Sequence, residues 1–313
     1  MKKKSFQSAI LGLAMASNFS AHADIIGKDD IRVMSLQEES RYSYVGELYS
    51  IAHNQYEPLC QVTVVAPQTV VTSASCFLSN LEQSFNLYAR SKTSEKEVRN
   101  FLSKSNLKNK LMISFVDKKD TARRFSFQDF YYHPSYTPAS LSKTSLGNNI
   151  YNIYEVTPPV GADLVYIRVN EDIGSDADIG TASITKLNFS NAQERYLKNE
   201  MRELELVGFP NTISSDCFAK HFTTTKEYGD SFVHSCDTVY STGAPVFRMD
   251  KVLGPQLIGI HSLGWSLASM MKSHPNWTAA QLSAELNKGC GEFSPNCGNL
   301  ATSWSAIKSG IKR

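Results

Sequence analysis

No stretch of this 313-residue chain holds the run of about 20 apolar residues that a membrane-spanning helix needs. The apolar segment AILGLAMA near the N-terminus is cut short by the polar NFSAH. There is no C-x-x-C pair and no histidine spacing that describes a zinc site, so the sequence calls for no metal and no other cofactor. Charge imbalance is also missing. The net charge is +2, and Lys2, Lys3 and Lys4 alone contribute three positive charges, which leaves no case for a nucleic-acid or polyanion partner. Internal repeats, low-complexity tracts and linkers are absent.

What is present begins with a leader. MKKK, the short apolar stretch and the closing Ala21-His22-Ala23 describe a secretory signal peptide over residues 1–23, with cleavage after Ala23. The expected product is Asp24–Arg313, exported to the periplasm or the exterior. Six cysteines in an exported chain point to disulfides. The close pairs are Cys60 with Cys76, Cys217 with Cys236, and Cys290 with Cys297, but spacing alone leaves many connectivities open.

The body of the chain reads as all-β. SYVGELYSIA, LCQVTVVA, LMISFVD, RRFSFQDFYY, DLVYIRV, RELELVGFP and GPQLIGIHSLG are short runs rich in branched and aromatic residues, several alternating apolar with polar. Helical signals are few. Thr278–Lys288 has an N-cap threonine and a glycine stop, and TSWSAIKSGIK predicts a short C-terminal helix. Ser91–Lys110 is polar and charged, as expected of a surface helix or loop.

Five ordered segments resemble the trypsin-like serine peptidases, in particular the secreted bacterial, V8-like branch. They are IIGKDDIRV, CQVTVVAPQTVVTSASC, YYHPSY with ADLVYIRV, LVGFP, and CDTVYSTGAPVF with IGIHSLG. The resemblance implies a chymotrypsin-like fold: two six-stranded β-barrels with a cleft between them and a short C-terminal helix. It implies one peptidase domain over 24–313, with surface insertions near 91–110 and 140–158 and a C-terminal extension near 271–313. It also implies that Cys60 and Cys76 pair around the histidine loop.

The family triad of serine, histidine and aspartate falls on Thr242, Ser75 and Asp163. Ser75 cannot hold a proton near neutral pH and so cannot serve as general base. Thr242 brings an extra methyl to the nucleophile position. Tyr240 stands where the family has a glycine of the oxyanion hole, a backbone shape that other residues resist. Ser241 replaces the aspartate that pairs with a released N-terminus in trypsin-like zymogens, a pair the V8-like branch does without. His261 matches the histidine that lines the specificity pocket of glutamyl endopeptidases, a substrate-binding role. His133, in HPSY, corresponds to a surface turn, and His234 has no family role. The expected protein is a secreted pseudopeptidase that binds a protein or peptide in the inter-barrel cleft. The alternative is an active endopeptidase with Thr242 as an unorthodox nucleophile. Nothing in the sequence fixes an oligomeric state.

Overall fold

The computed structural model describes residues 31–52, 55–77, 107–136, 141–146, 149–154, 160–185, 202–208, 211–223, 231–236, 242–264 and 299–311. The expected signal peptide, the helix expected at Thr278–Lys288, Tyr240, Ser241, Cys290 and Cys297 lie outside them.

The first half contains β1 (Ile31–Val33), α1 (Leu36–Arg41), β2 (Val45–Ala52), β3 (Gln55–Ala66), β4 (Thr69–Thr72), β5 (Leu111–Val116), β6 (Ala122–Tyr132), β7 (Leu141–Leu146), β8 (Asn149–Tyr154) and β9 (Val165–Val169). The second contains β10 (Ser183–Ile184), β11 (Arg202–Gly208), β12 (Thr212–Thr223), β13 (Ser231–His234), β14 (Pro245–Asp250), β15 (Gly254–Gly264), β16 (Asn299–Ser303) and α2 (Trp304–Ile311).

Strands β2-β3-β4-β9-β6-β5 close into a six-stranded barrel. Strict alternation drives it: on β5, Leu111, Ile113 and Phe115 are buried inside while Met112 and Ser114 face outward. Leu48, Val62, Val64, Phe127, Ile167 and Val169 complete the interior. Each such side chain, fully buried, stabilises by about 2 kcal/mol. On β6 the register shifts between Phe127 and Asp129, so Phe130 turns inward and the aspartate stays out.

The second sheet runs β1-β12-β11-β14-β15-β16-β13, with β10 parallel to β15 and an additional pairing of β12 with β13. Its own core holds Leu204, Leu206, Phe232, Val246, Ile258 and Ala301. A shared apolar layer joins it to the barrel: Val71, Leu164 and Tyr166 from the barrel meet Val207, Phe247 and Ile260.

The C-terminal helix α2 lies on this layer. Tyr166 Oη donates to the carbonyls of Ala306 (3.0 Å) and Ile307 (2.9 Å). Gly310 is required there, since a Cβ would strike the Tyr166 ring. The helix begins two residues later than TSWSAIKSGIK predicts. Thr302 and Ser303 belong to β16, where they pair with Ile260 and Gly259.

One further expectation needs correction. Leu107, at the end of the segment read as surface, is fully buried in the barrel core, while 91–106 lie outside the described residues. His133 opens the HPSY turn, closed by the Tyr136 N–H donating to its carbonyl (2.8 Å) with Pro134 and Ser135 exposed, while its own side chain is 7% exposed and holds α2 to the barrel. Its Nδ1 accepts from the Ser135 N–H (3.2 Å), which leaves Nε2 to donate to Ser309 Oγ (2.8 Å). Within the stretch 140–158, β7 and β8 pair as a two-stranded sheet.

Candidate functional site

The site starts at the end of β4. Beyond Thr72, residues 74–77 make one helical turn. Ser73 caps it, its Oγ accepting from the Cys76 N–H at 3.2 Å. The turn is pinned to β3 by the Cys60–Cys76 disulfide, with Cα atoms 5.9 Å apart. A second disulfide, Cys217–Cys236, ties β12 to the end of β13.

Asp163 stands between the 3-10 turn Val160–Ala162 and β9, fully buried. Ser75 donates to it twice: its N–H to Oδ1 and its Oγ to Oδ2, both at 2.7 Å. The Ser262 hydroxyl also faces this carboxylate, and the Ala74 N–H donates to the Asp163 main-chain carbonyl at 3.4 Å. Burial nevertheless pushes the Asp163 carboxyl above its ordinary range, outweighing the donors that pull it down. Ser75 itself is partly exposed, so the pair forms a polar rim with one face to solvent.

Thr242 is half-buried and opens the turn into β14. Its neighbour Gly243 has φ +89°, a conformation that favours glycine. A Cβ at Gly243 would strike Thr72 Oγ1 and come within 3.1 Å of the Gln61 carbonyl. The absent side chain therefore lets the Thr242–Gly243 turn press against the strand end that leads to Ser75. The Gly243 N–H donates to the His261 carbonyl (2.9 Å), and the His261 N–H to the Ala244 carbonyl (2.8 Å). Thus Ser75 and Asp163 are in direct contact, and the Thr242 turn lies against Thr72 and beside His261.

His261 is 2% exposed and its ring meets that of His234 edge-on, centroids 5.4 Å apart. This histidine pair was not expected from the sequence, nor was the part played by Ser262. The β15–β16 register shifts between His261 and Leu263, and Ser262, set in this irregularity, faces Asp163. Ser262 also bonds Thr302 Oγ1 at 3.2 Å, which fixes its hydroxyl.

Among the described residues no group of three or more His, Cys, Asp or Glu side chains gathers to hold a metal ion. None of their helices is long and apolar enough to cross a membrane. Compared with known proteins, the chain matches no family model and no curated protein. Chemically, the arrangement can orient a serine hydroxyl and hold a buried carboxylate. Ser75 offers no proton acceptor at neutral pH.

Proposed function

We propose that this chain is an exported relative of the trypsin-like serine peptidases, of the V8-like branch, that has lost catalysis and binds a protein or peptide in the cleft between its two β units. The observation that carries the reading is the Ser75–Asp163 pair: both carboxylate oxygens are engaged by the residue that takes the place of the catalytic histidine. A carboxylate there orients an imidazole in a working triad. Here it orients a hydroxyl, and Ser75 can take no proton from Thr242 at neutral pH.

The order of the five family-like segments supports the assignment, as does the approach of the Thr242–Gly243 turn to Thr72. A second six-stranded barrel is supported by the pairings β12-β11-β14-β15-β16-β13 together with the return pairing of β13 to β12. Export is supported by the two disulfides. In this reading His261 answers an acidic side chain of the bound peptide.

The test is residues 24–313 incubated with fluorescent casein and with glutamate-containing fluorogenic peptides, alongside Thr242→Ala. The expected result is no hydrolysis above buffer from either protein, with binding to immobilised peptides that weakens when Thr242→Trp fills the cleft and when glutamate is removed from the peptide. Turnover that disappears in Thr242→Ala would establish the alternative, an active endopeptidase, and overturn the proposal.

A further inference from the structure

A cavity of about 300 Å³ lies between the barrel and the second sheet, at the low end of the size range of small-molecule sites. Its inner wall is one rung of outward-facing barrel residues. Register pairs Gln61 with Glu47, Glu47 with Ser114, and Ser114 with Arg124, across β3, β2, β5 and β6. Tyr49, two residues along β2 from Glu47, continues the wall. Met34, Tyr42 and the Val207–Gly208 end of β11 close over it.

Two acceptors on this rung stand side by side, and no donor among the described residues reaches them. Gln61 is 5% exposed, and its Oε1 receives no hydrogen bond from the described residues. Such a group, buried, costs stability unless a donor reaches it. No hydrogen bond or ion pair among the described residues reaches the Glu47 carboxylate either. Among the described residues the one cation on the wall, Arg124, is two strands away, about 10 Å between Cα atoms by sheet geometry. Its guanidinium lies over the Tyr56 ring, 5.0 Å from the centroid. Ser114, small and between them, leaves the space open. Glu39, from α1, adds a second carboxylate at the wall.

From this geometry we infer that the cavity binds a small aliphatic amine as its ammonium cation, whose N–H groups donate to Glu47 and Gln61 while its carbon chain lies along Tyr49 and Tyr42. Charge, donors and apolar length all match: an ammonium has only donors, and aromatic faces favour a cation. An anion would meet two carboxylates, and a neutral alcohol would leave Glu47 uncompensated. The amine is either free or the side chain of a lysine.

Burial alone pushes the Glu47 carboxyl up to about 7. The charged and titratable groups around it are Arg124 on β6, Glu39 on α1, Tyr42 beyond α1, Tyr49 on β2 and Tyr56 on β3. An ammonium stays protonated from pH 6 to 8, so binding draws the proton off Glu47. Affinity should then fall as pH drops below about 7.

The test is calorimetric titration of residues 24–313 with cadaverine, with a lysine residue capped at both ends, and with 1-pentanol. Cadaverine should saturate the protein in the millimolar range or below, and 1-pentanol should not bind. Binding at pH 7 should release protons, read as a heat that varies with the ionisation enthalpy of the buffer. Glu47→Gln should weaken the amine about tenfold or more and abolish the proton release; Ser114→Leu, which fills the space and keeps both acceptors, should also weaken it. Capped lysine binding as well as cadaverine identifies a side chain as the natural occupant; cadaverine alone identifies a free amine. No saturable binding of either amine, or equal binding by Glu47→Gln, overturns the inference. Loss or gain of peptidase activity bears on the cleft and not on this cavity.

Discussion

Ser75 holds Asp163 by both its backbone N–H and its hydroxyl, each at 2.7 Å, although the two residues are 88 positions apart. The carboxylate is therefore an organiser of the 74–77 turn. Ser75→Ala removes one charge-assisted bond and should cost about 1–3 kcal/mol. Asp163→Ala strips the acceptor from both the N–H and the hydroxyl of Ser75 and from the Ser262 hydroxyl that faces it, and several donors left without a partner cost more than one bond. Denaturant unfolding of both variants checks the order. An Asp163→Ala loss no larger than that of Ser75→Ala would show that the donors find other partners.

Gly243 makes a second demand that can be measured. Gly243→Ala meets two costs at once: a φ of +89°, and a methyl driven into Thr72 Oγ1. Gly254 is the control, since its φ is +73° but open space surrounds it. Gly254→Ala should cost about 1 kcal/mol, the backbone term alone. Gly243→Ala should cost roughly 2–4 kcal/mol, strain and overpacking together. Equal losses would mean that the turn can lift off β4 at no cost.

The pH dependence of stability should carry the mark of Glu47. Its folded pKa of about 7 lies above the value near 4.3 of an unfolded glutamate. The folded state thus holds the proton more tightly. Glu47 contributes stability below the unfolded pKa, and that contribution is lost as pH rises through about 7. Glutamine stays neutral throughout. Relative to the parent, Glu47→Gln should gain stability between pH 4 and pH 8, on the order of 1 kcal/mol after discounting for the side chain's partial exposure. Chemical unfolding in acetate and phosphate buffers measures this, because a bound amine would restore the carboxylate and hide the effect. No change across that range would place Glu47 in full contact with water.

The barrel was legible because LMISFV, VYIRV and their partners carry the pattern of their burial on their face. The strand TISSDCFAKHFT was not: its polar residues break the alternation, and its place depends on pairing with β1, β11 and β13 from far along the chain. The hairpin β7–β8 had a signal, Gly147-Asn148 between two strand-like runs, which the polar composition of the stretch obscured. At the site, Ser75 and Asp163 were legible from the cysteine register and the strand that follows. Ser262, set in the β15 irregularity after His261, had no such signal, and neither had the Glu47 cavity. VGELYSIA places Glu47 on the outer face of β2, but its cover comes from α1 and the end of β11, a tertiary approach with no local signature.

The last prediction concerns what it would take to make the site catalytic. Ser75→His with Thr242→Ser supplies a base and an unhindered nucleophile. Asp163 is placed to receive the imidazole, because the backbone N–H of residue 75 already fixes the carboxylate at 2.7 Å. On the proposed ancestry Tyr240 takes the position of the oxyanion-hole glycine, and acyl transfer depends on preorganised donors there. The double variant should gain slight peptidase activity, and adding Tyr240→Gly should raise it roughly 10²-fold, the size of one oxyanion donor. Hydrolysis of a glutamyl ester by all three proteins, at matched folded fraction, makes the comparison. If the double variant alone turns over like an ordinary secreted peptidase, Tyr240 does not disturb the hole, and on the proposed ancestry only Ser75 and Thr242 bar catalysis. If the triple variant stays inert while folded, the Thr242 turn does not present its hydroxyl to residue 75, and the peptidase ancestry assigned to this site fails with it.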